Sequence, residues 1–479
     1  MPRPARLALA ACGPSILTLA LVAIFWQSGP RDFVTLGTDE TIYWNEAAIF
    51  MHAGFEGGYV TVNERPAAAA YSRFGPHGPA YAILYGSVGW LAGWRPYSPY
   101  LINLLLVPLC AAAWLRARRH DSAHGGAALL LLGFWPLVLY LPTGMQEPLH
   151  FGIAMLLVAL LESRLTIGVR VGLCVPLFIV ACLARPTWAL AIPAVMWGRT
   201  PGWGRRAASL VVCAAAFVPA FLIVTRSAGP YPYTAWVPQA VAGPWFGIPV
   251  LAEAAVAGLG HFFFTPHPRW SITLYRLGMV AGLAALAVLW RRSGPERWRI
   301  EVAALMVLPV MAALLPVGDV ESGREFRVVA PHLLAALLVV AALGARWTIV
   351  PAAINLALLL MLLPEYYQRH DGRFAGGAEI RAFGDTAHHV MAFDPDAPTG
   401  WDNTVMMHAD SLQPPLAGLP RGLAISFVLD WDDLPIPPRS RYLLLREDDE
   451  PQVVPRVRLT RLADTSLGVL YRNDEPRPH

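Results

Sequence analysis

Gly37-Thr38-Asp39-Glu40-Thr41-Ile42-Tyr43-Trp44-Asn45-Glu46-Ala47 is the stretch on which the reading of this chain turns. Downstream comes the turn Phe74-Gly75-Pro76-His77-Gly78-Pro79, which leads into a short apolar run. Adjacent carboxylates beside membrane-length apolar segments are costly and mark positions with a task. Just before them, Leu7–Trp26 is an apolar run of about 20 residues, long enough to span a bilayer. It is too long and too bulky at its end for a signal peptide. With Arg3 and Arg6 ahead of it, it reads as an uncleaved first helix with a cytoplasmic N-terminus. The acidic stretch then belongs to a first outer loop, residues 27–99.

Two helices are expected in that loop, Thr41–Ala53 and Pro79–Ala92. Proline suits the first position of the second helix and Gly93 its end. At about 1.5 Å per residue this helix reaches about 20 Å, short of a hydrocarbon core of about 30 Å, so it should lie in the interface. The arginine pattern agrees: with that helix on the surface, Arg116, Arg118, Arg119, Arg164, Arg170, Arg205, Arg206, Arg291, Arg292 and Arg346 all fall in cytoplasmic loops. About eleven transmembrane helices follow from this register, with the C-terminus outside. Two of them, on either side of Ala184-Arg185-Pro186, are short for a crossing.

Composition supports the class. Of 479 residues, 56% are hydrophobic and 15% charged, the balance of an integral membrane protein. Every basic side chain other than histidine is arginine, and the Ala, Pro and Gly content points to a GC-rich bacterial genome. The net charge of +4 therefore gives no reason to expect nucleic acid. The five cysteines sit inside apolar runs and read as buried hydrophobes, with no disulfide framework or zinc pattern. After Leu363 the chain becomes charged and Pro-rich, with strand-like runs at Leu423–Leu429, Arg441–Leu445 and Leu467–Tyr471. The expected organisation is an all-α polytopic transmembrane domain, 1–364, followed by a small α/β extracytoplasmic domain, 365–479. His388, His389 and His408 lack cysteine partners or fixed spacing and read as surface or packing histidines rather than metal ligands.

Several polar groups beside the apolar runs fall on the same side as Asp39 and Glu40. They are Glu147 in Met145-Gln146-Glu147-Pro148-Leu149, Arg185 between the short spans, and Arg324, Glu325 and Arg327 in a tight loop. Together they suggest one shared polar site. Equally, Thr38 or Asp39 can cap the Thr41 helix, Glu147 can pair with an arginine for assembly, and the Arg324 loop can be a solvated turn.

The order of these elements resembles the membrane-embedded GT-C glycosyltransferases, in particular the bacterial branch related to protein mannosyltransferases and aminoarabinose transferases. The resemblance rests on five elements. These are an Asp-Glu pair followed by Tyr and Ala, Phe-x-x-His-x-Pro before an aromatic helix, Met-x-Glu-Pro-Leu, Ala184-Arg185-Pro186, and Arg324-Glu325-Phe326-Arg327-Val328-Val329-Ala330-Pro331. It covers roughly Leu7–Leu363. It departs at His77-Gly78-Pro79, where many relatives carry Lys or His followed by Pro-Pro.

The resemblance implies an inverting transfer of one sugar from a polyprenyl-phosphate donor to a glycan, lipid or protein acceptor. The setting would be the outer face of a bacterial inner membrane, among its lipids. Asp39 is then the base for the acceptor hydroxyl. Glu40, about 100° around a helix from it, positions the acceptor or the helix, or exchanges roles with Asp39. Arg324, Arg327, Arg185 and His77, with Arg73 behind them, meet the phosphate charge, and Glu147 holds sugar hydroxyls or orients the acceptor. No cofactor is demanded, although a divalent metal is compatible. A transporter or flippase would carry its ionisable groups near the midplane between repeated halves. A polysaccharide polymerase or ligase would show a large later outer loop.

Overall fold

The structure, a computed structural model, describes residues 3–36, 38–56, 60–62, 64, 78–117, 124–197, 203–227, 253, 256–257, 260, 270–292, 294–314, 324–344, 346–375, 377–392, 401–408, 418–420, 423–428, 430–433 and 437–476. The segment 248–265 lies largely outside these.

A long helix, α1 (Arg3–Trp26), opens the chain, and α2 (Thr38–Ala53) and α3 (Ala80–Ala92) come from the first loop. The bundle continues through α4 (Ser98–Ala117), α5 (His124–Gly133), α6 (Trp135–Tyr140), α7 (Glu147–Glu162), α8 (Ile167–Ala184), α9 (Ile192–Trp197) and α10 (Trp203–Ser227). It is completed by α11 (Trp270–Arg292), α12 (Arg297–Leu314), α13 (Arg324–Ala341) and α14 (Arg346–Met361). Almost every residue of α7 is buried, so this helix is the bundle's axis. Apolar side chains face outward from the peripheral helices: Leu105 is 67% exposed, Val211 68% and Ile354 56%. An exterior of this kind needs a lipid solvent, and the chain is a helical membrane protein.

Among the described residues three helices are by themselves long and apolar enough to cross: Leu7–Trp26, Ser98–Ala117 and Ala207–Val224. A fourth crossing is counted if α14 and the helices after it, bent by 58°, act together. Two expected spans are broken. Gly126–Leu141 is two helices interrupted at Phe134, because Pro136 cannot supply the hydrogen bond a continuous helix needs there. The segment after Arg185 begins as a 3₁₀ turn, Pro186–Ala191, before α9. Helix α3 is the short helix expected after the turn, and it exposes Trp90 and Leu91.

Beyond α14 come α15 (Leu363–Ala375) and α16 (Gly377–Val390), and then a mixed sheet. Its strands are β1 (Val60–Val62), β2 (Thr404–His408), β3 (Ala424–Val428), β4 (Tyr442–Leu445), β5 (Leu459–Thr465) and β6 (Gly468–Asn473), with a short helix α17 (Glu450–Val453) after β4. The order is β1-β3-β2-β4-β6-β5, parallel through β4 and antiparallel beyond it. Strands β3, β4 and β6 fall on the three runs the sequence pattern marked.

β1 is the unexpected member, since it belongs to the first loop and pairs Val60 with Ile425. Beyond it, Glu64 accepts the N–H groups of Arg439 and Ser440, both at 2.8 Å. Contacts therefore cross the expected boundary at 364/365. Position 364 lies within α15, where Trp26 stacks on Tyr367 and Phe374 at 5.4 and 5.0 Å. Composition changes there, while the packing continues. Helix α2 joins the two parts: Ile42 and Ile49 enter the core under the sheet, whereas Tyr43, Trp44 and Ala47 enter the bundle core. The middle of α2 is buried on every side, its polar Thr41, Asn45 and Glu46 included.

Candidate active site

The site forms where α2, α7, α13 and the break after α8 meet at the sheet-bearing end of the bundle. Each charged group is placed by a local feature of the sequence. Asp39 and Glu40 lie in the first turn of α2, where carboxylates suit the unpaired N–H groups. Glu147 opens α7 with Pro148 behind it, a favourable helix start. Arg185 precedes proline, which drives it out of helical geometry to φ −158°, ψ 117° and ends α8.

Arg327 is the hub. Its Nη1 donates to Asp39 Oδ2 at 2.8 Å, and its Nε lies 3.4 Å from Glu147 Oε1. The same oxygen accepts Arg185 Nη2 at 3.2 Å, and Arg185 Nη1 reaches the Arg327 carbonyl at 3.4 Å. Two guanidiniums thus share one oxygen of a carboxylate that is 0% exposed, while Glu147 Oε2 has no hydrogen-bond partner among the described residues. Buried carboxylate oxygens are rarely left this way, and the spare acceptor suits a hydroxyl-bearing ligand. Tyr43, one turn after Asp39, stands within electrostatic reach of Asp39, Arg327, Glu147 and Arg185. Burial first, and then the Asp39 carboxylate, pushes its phenol well above the ordinary range, so it serves as a neutral O–H group.

The neighbouring carboxylates differ in access. The Asp39 side chain is 32% exposed and that of Glu40 4%. Glu40 Oε1 is paired with Arg373 Nη2, and Oε2 accepts the Gly144 N–H at 3.0 Å. Of the roles left open to Glu40, burial and two fixed partners fit holding the helix. Gly144 belongs to the turn between α6 and α7. There Tyr81 donates to the Gly144 carbonyl at 2.9 Å, Asn103 Nδ2 to the Thr143 carbonyl at 2.7 Å, and Tyr85 to Asn103 Oδ1 at 2.6 Å. The turn that delivers Glu147 is thus pinned by α2, α3 and α4.

Arg373 also donates to the Leu36 carbonyl at 3.1 Å and meets His370 Nδ1 at 3.1 Å. Nε2 of His370 lies 3.0 Å from the Leu139 carbonyl. A ring that accepts from arginine at Nδ1 and donates at Nε2 is neutral. Burial, and the charges of Arg373 and Arg369, hold His370 well below the usual imidazole range. Arg369 lies over the Tyr140 ring, 4.9 Å from its centre, with Nη2 3.4 Å from the hydroxyl.

Of the residues singled out by sequence, Asp39, Glu147, Arg185 and Arg327 come together, and Glu40 lies behind them. Arg73 and His77 are outside the described residues, as is the side chain of Arg324, which opens α13. The turn itself is informative at Gly78. With φ +83° and a Cβ that would sit 2.1 Å from the Leu183 carbonyl oxygen, the position admits only glycine, which accounts for the departure from Pro-Pro. Sequence reasoning missed Arg369, His370 and Arg373, because the cue, polar residues at helical spacing just past the last apolar run, read as the start of a separate domain. Among the described residues no three His, Cys, Asp or Glu side chains are grouped to hold a metal ion.

No protein-family profile and no curated protein matches the chain. Among solved structures it is similar to the crystal structure of ArnT from Cupriavidus metallidurans bound to undecaprenyl phosphate. Identity is 15% and the TM-score 0.44, over 97% of this chain and 99% of that one. The same protein in the apo state matches at 15% identity with a TM-score of 0.43, over the same shares of the two chains.

Proposed function

We propose that this chain is an inverting transferase that moves one sugar from a polyprenyl-phosphate carrier to an acceptor hydroxyl at the extracytoplasmic face of a bacterial inner membrane. The observation that carries the reading is the contrast in access: of Asp39, Glu40 and Glu147, only Asp39 is reachable, and it is held by the half-buried Arg327 at the end of the bundle. The five sequence elements resembling GT-C transferases supply the reaction class. On this reading the N-terminus is cytoplasmic and the sheet extracytoplasmic.

The acceptor oxygen attacks the anomeric carbon as Asp39 takes its proton. The bond from that carbon to the phosphate oxygen breaks, and its electron pair stays on the phosphate. A single displacement inverts the anomeric centre. Arg327 aims the Asp39 carboxylate and, with Arg185, meets the growing negative charge. Glu147 keeps the two guanidiniums together and offers its free oxygen to a sugar hydroxyl. Arg324, Arg73 and His77 are proposed as further cations toward the phosphate, on the sequence resemblance alone.

Charge neutralisation is assigned to these cations rather than to a metal. Activity that survives EDTA is expected, and loss reversed by a divalent ion would reassign that role. The sugar, the acceptor and the carrier length are for experiment. Purified protein is incubated with a panel of polyprenyl-phosphate monosaccharides and a mixed acceptor extract, and free polyprenyl phosphate is scored by mass. Release by wild type and not by Asp39→Ala supports the reading; no release from any donor by folded protein sinks it.

A further inference from the structure

We infer that Arg369, beyond the last apolar helix, binds the phosphate of the lipid carrier; this rests on the transferase reading and adds to it a residue outside the resembling segment. Arg369 and Arg373 are one turn apart on α15 and so share a face. Arg373 is held in an ion pair with Glu40 and donates to the Leu36 carbonyl. Arg369 is not. A guanidinium carries five N–H donors, yet among the described residues its side chain meets only the ring and hydroxyl of Tyr140, and no carboxylate pairs with it.

Charge balance points the same way. Asp39, Glu40 and Glu147 are matched by Arg327, Arg373 and Arg185, each in an ion pair. Arg369 is then a surplus positive charge among these described residues. A sugar linked through a phosphodiester brings one negative charge, and the polyprenyl phosphate left after transfer brings about one and a half to two near neutral pH. The surplus therefore fits the donor and favours the charge that develops as the anomeric bond breaks.

The placement allows it. Tyr140 lies within electrostatic reach of Glu147 and Arg327 as well as Arg369. The Arg327 charge opposes that of Arg369. Two like charges flank one phenol, with Glu147 in reach of the phenol and Glu40 in reach of Arg369, and Arg369 is only partly buried. A phosphate there would relieve the repulsion and accept from both forks.

The test is binding of polyprenyl phosphate to the full chain in detergent, by native mass spectrometry, for wild type, Arg369→Gln and Arg369→Lys. Polyprenol and inorganic phosphate serve as the other two ligands. Loss of a charge-assisted hydrogen bond predicts about ten-fold or weaker binding of polyprenyl phosphate by the Gln variant, with partial recovery in the Lys variant and unchanged binding of polyprenol. Wild-type affinity in Arg369→Gln overturns the assignment and leaves the transferase reading standing. Equal weakening toward polyprenol makes Arg369 structural and also overturns it. If inorganic phosphate binds as tightly as the lipid, the site serves free phosphate and the carrier assignment is wrong. If wild type binds no polyprenyl phosphate, the transferase reading itself fails.

Discussion

The two ends of α7 carry opposite lessons from similar chemistry. At about 1.5 Å per residue its 16 residues hold Glu147 and Glu162 about 22 Å apart. At the far end, Arg299 joins Glu162 at 3.0 Å and Glu296 at 2.7 Å, and Glu296 is 53% exposed. One cation serves two carboxylates, one of them three residues away, and water shares the load. At the near end, two arginines from distant segments converge on one fully buried oxygen, and a third segment presents Asp39 to the outside. At the far end a local, exposed carboxylate completes the long-range pair that anchors the helix end. A cluster assembled from distant segments, with one group left reachable and one cation in surplus, is arranged for a ligand.

The largest effect expected to sharpen that contrast is on the reaction. Asp39→Asn keeps the shape of the side chain but cannot take a proton, and transfer should fall by about 10²–10⁴-fold. The thermal midpoint should stay near that of wild type. Turnover within a few-fold of normal would remove Asp39 from the role of base. Next comes the latch behind it. Arg373→Ala strands the buried Glu40 carboxylate and should cost about 3–5 kcal/mol, read as a lowered unfolding midpoint in detergent. Adding Glu40→Gln to it should recover part of the loss, and a simple sum of the two single effects would show that the groups are uncoupled.

A pH scan probes the same latch more gently. His370 is neutral when folded and its folded pKa lies below the unfolded value near 6.5, so the unfolded chain binds the extra proton. Its contribution is fully present above about 6.5 and declines as pH falls toward the folded pKa, by at most about 1.4 kcal/mol per unit. In His370→Gln the slope of midpoint against pH between about 6.5 and 5 should flatten; an unchanged slope would place the titration elsewhere. The smallest effect belongs to the far end. Arg299→Ala should lower stability by about 1–2 kcal/mol and leave transfer unchanged. A large loss of transfer there would erase the difference between the two ends.

Much of this was legible in the residues. The apolar runs mark the bundle, Pro186 explains why the chain breaks at Arg185, and the acidic pair, Glu147, Arg185 and Arg327 are visible as ionisable groups beside apolar segments. Gly78 was legible as a departure from a pattern but not as a necessity, because the Leu183 carbonyl that excludes a side chain comes from α8. The strand Val60–Val62 was illegible, since three residues carry no usable alternation and their partner lies in the last quarter of the chain.

Hydrophobicity is a sum over local sequence, so it determined a helical membrane protein and the loop after its first helix. Which of two adjacent carboxylates faces outward was decided only by tertiary structure. Burial and pairing depend on segments more than 280 residues away, Arg327 for Asp39 and Arg373 for Glu40. Neighbours in sequence share a helix turn but point about 100° apart, and only the packed surroundings set which direction is solvent.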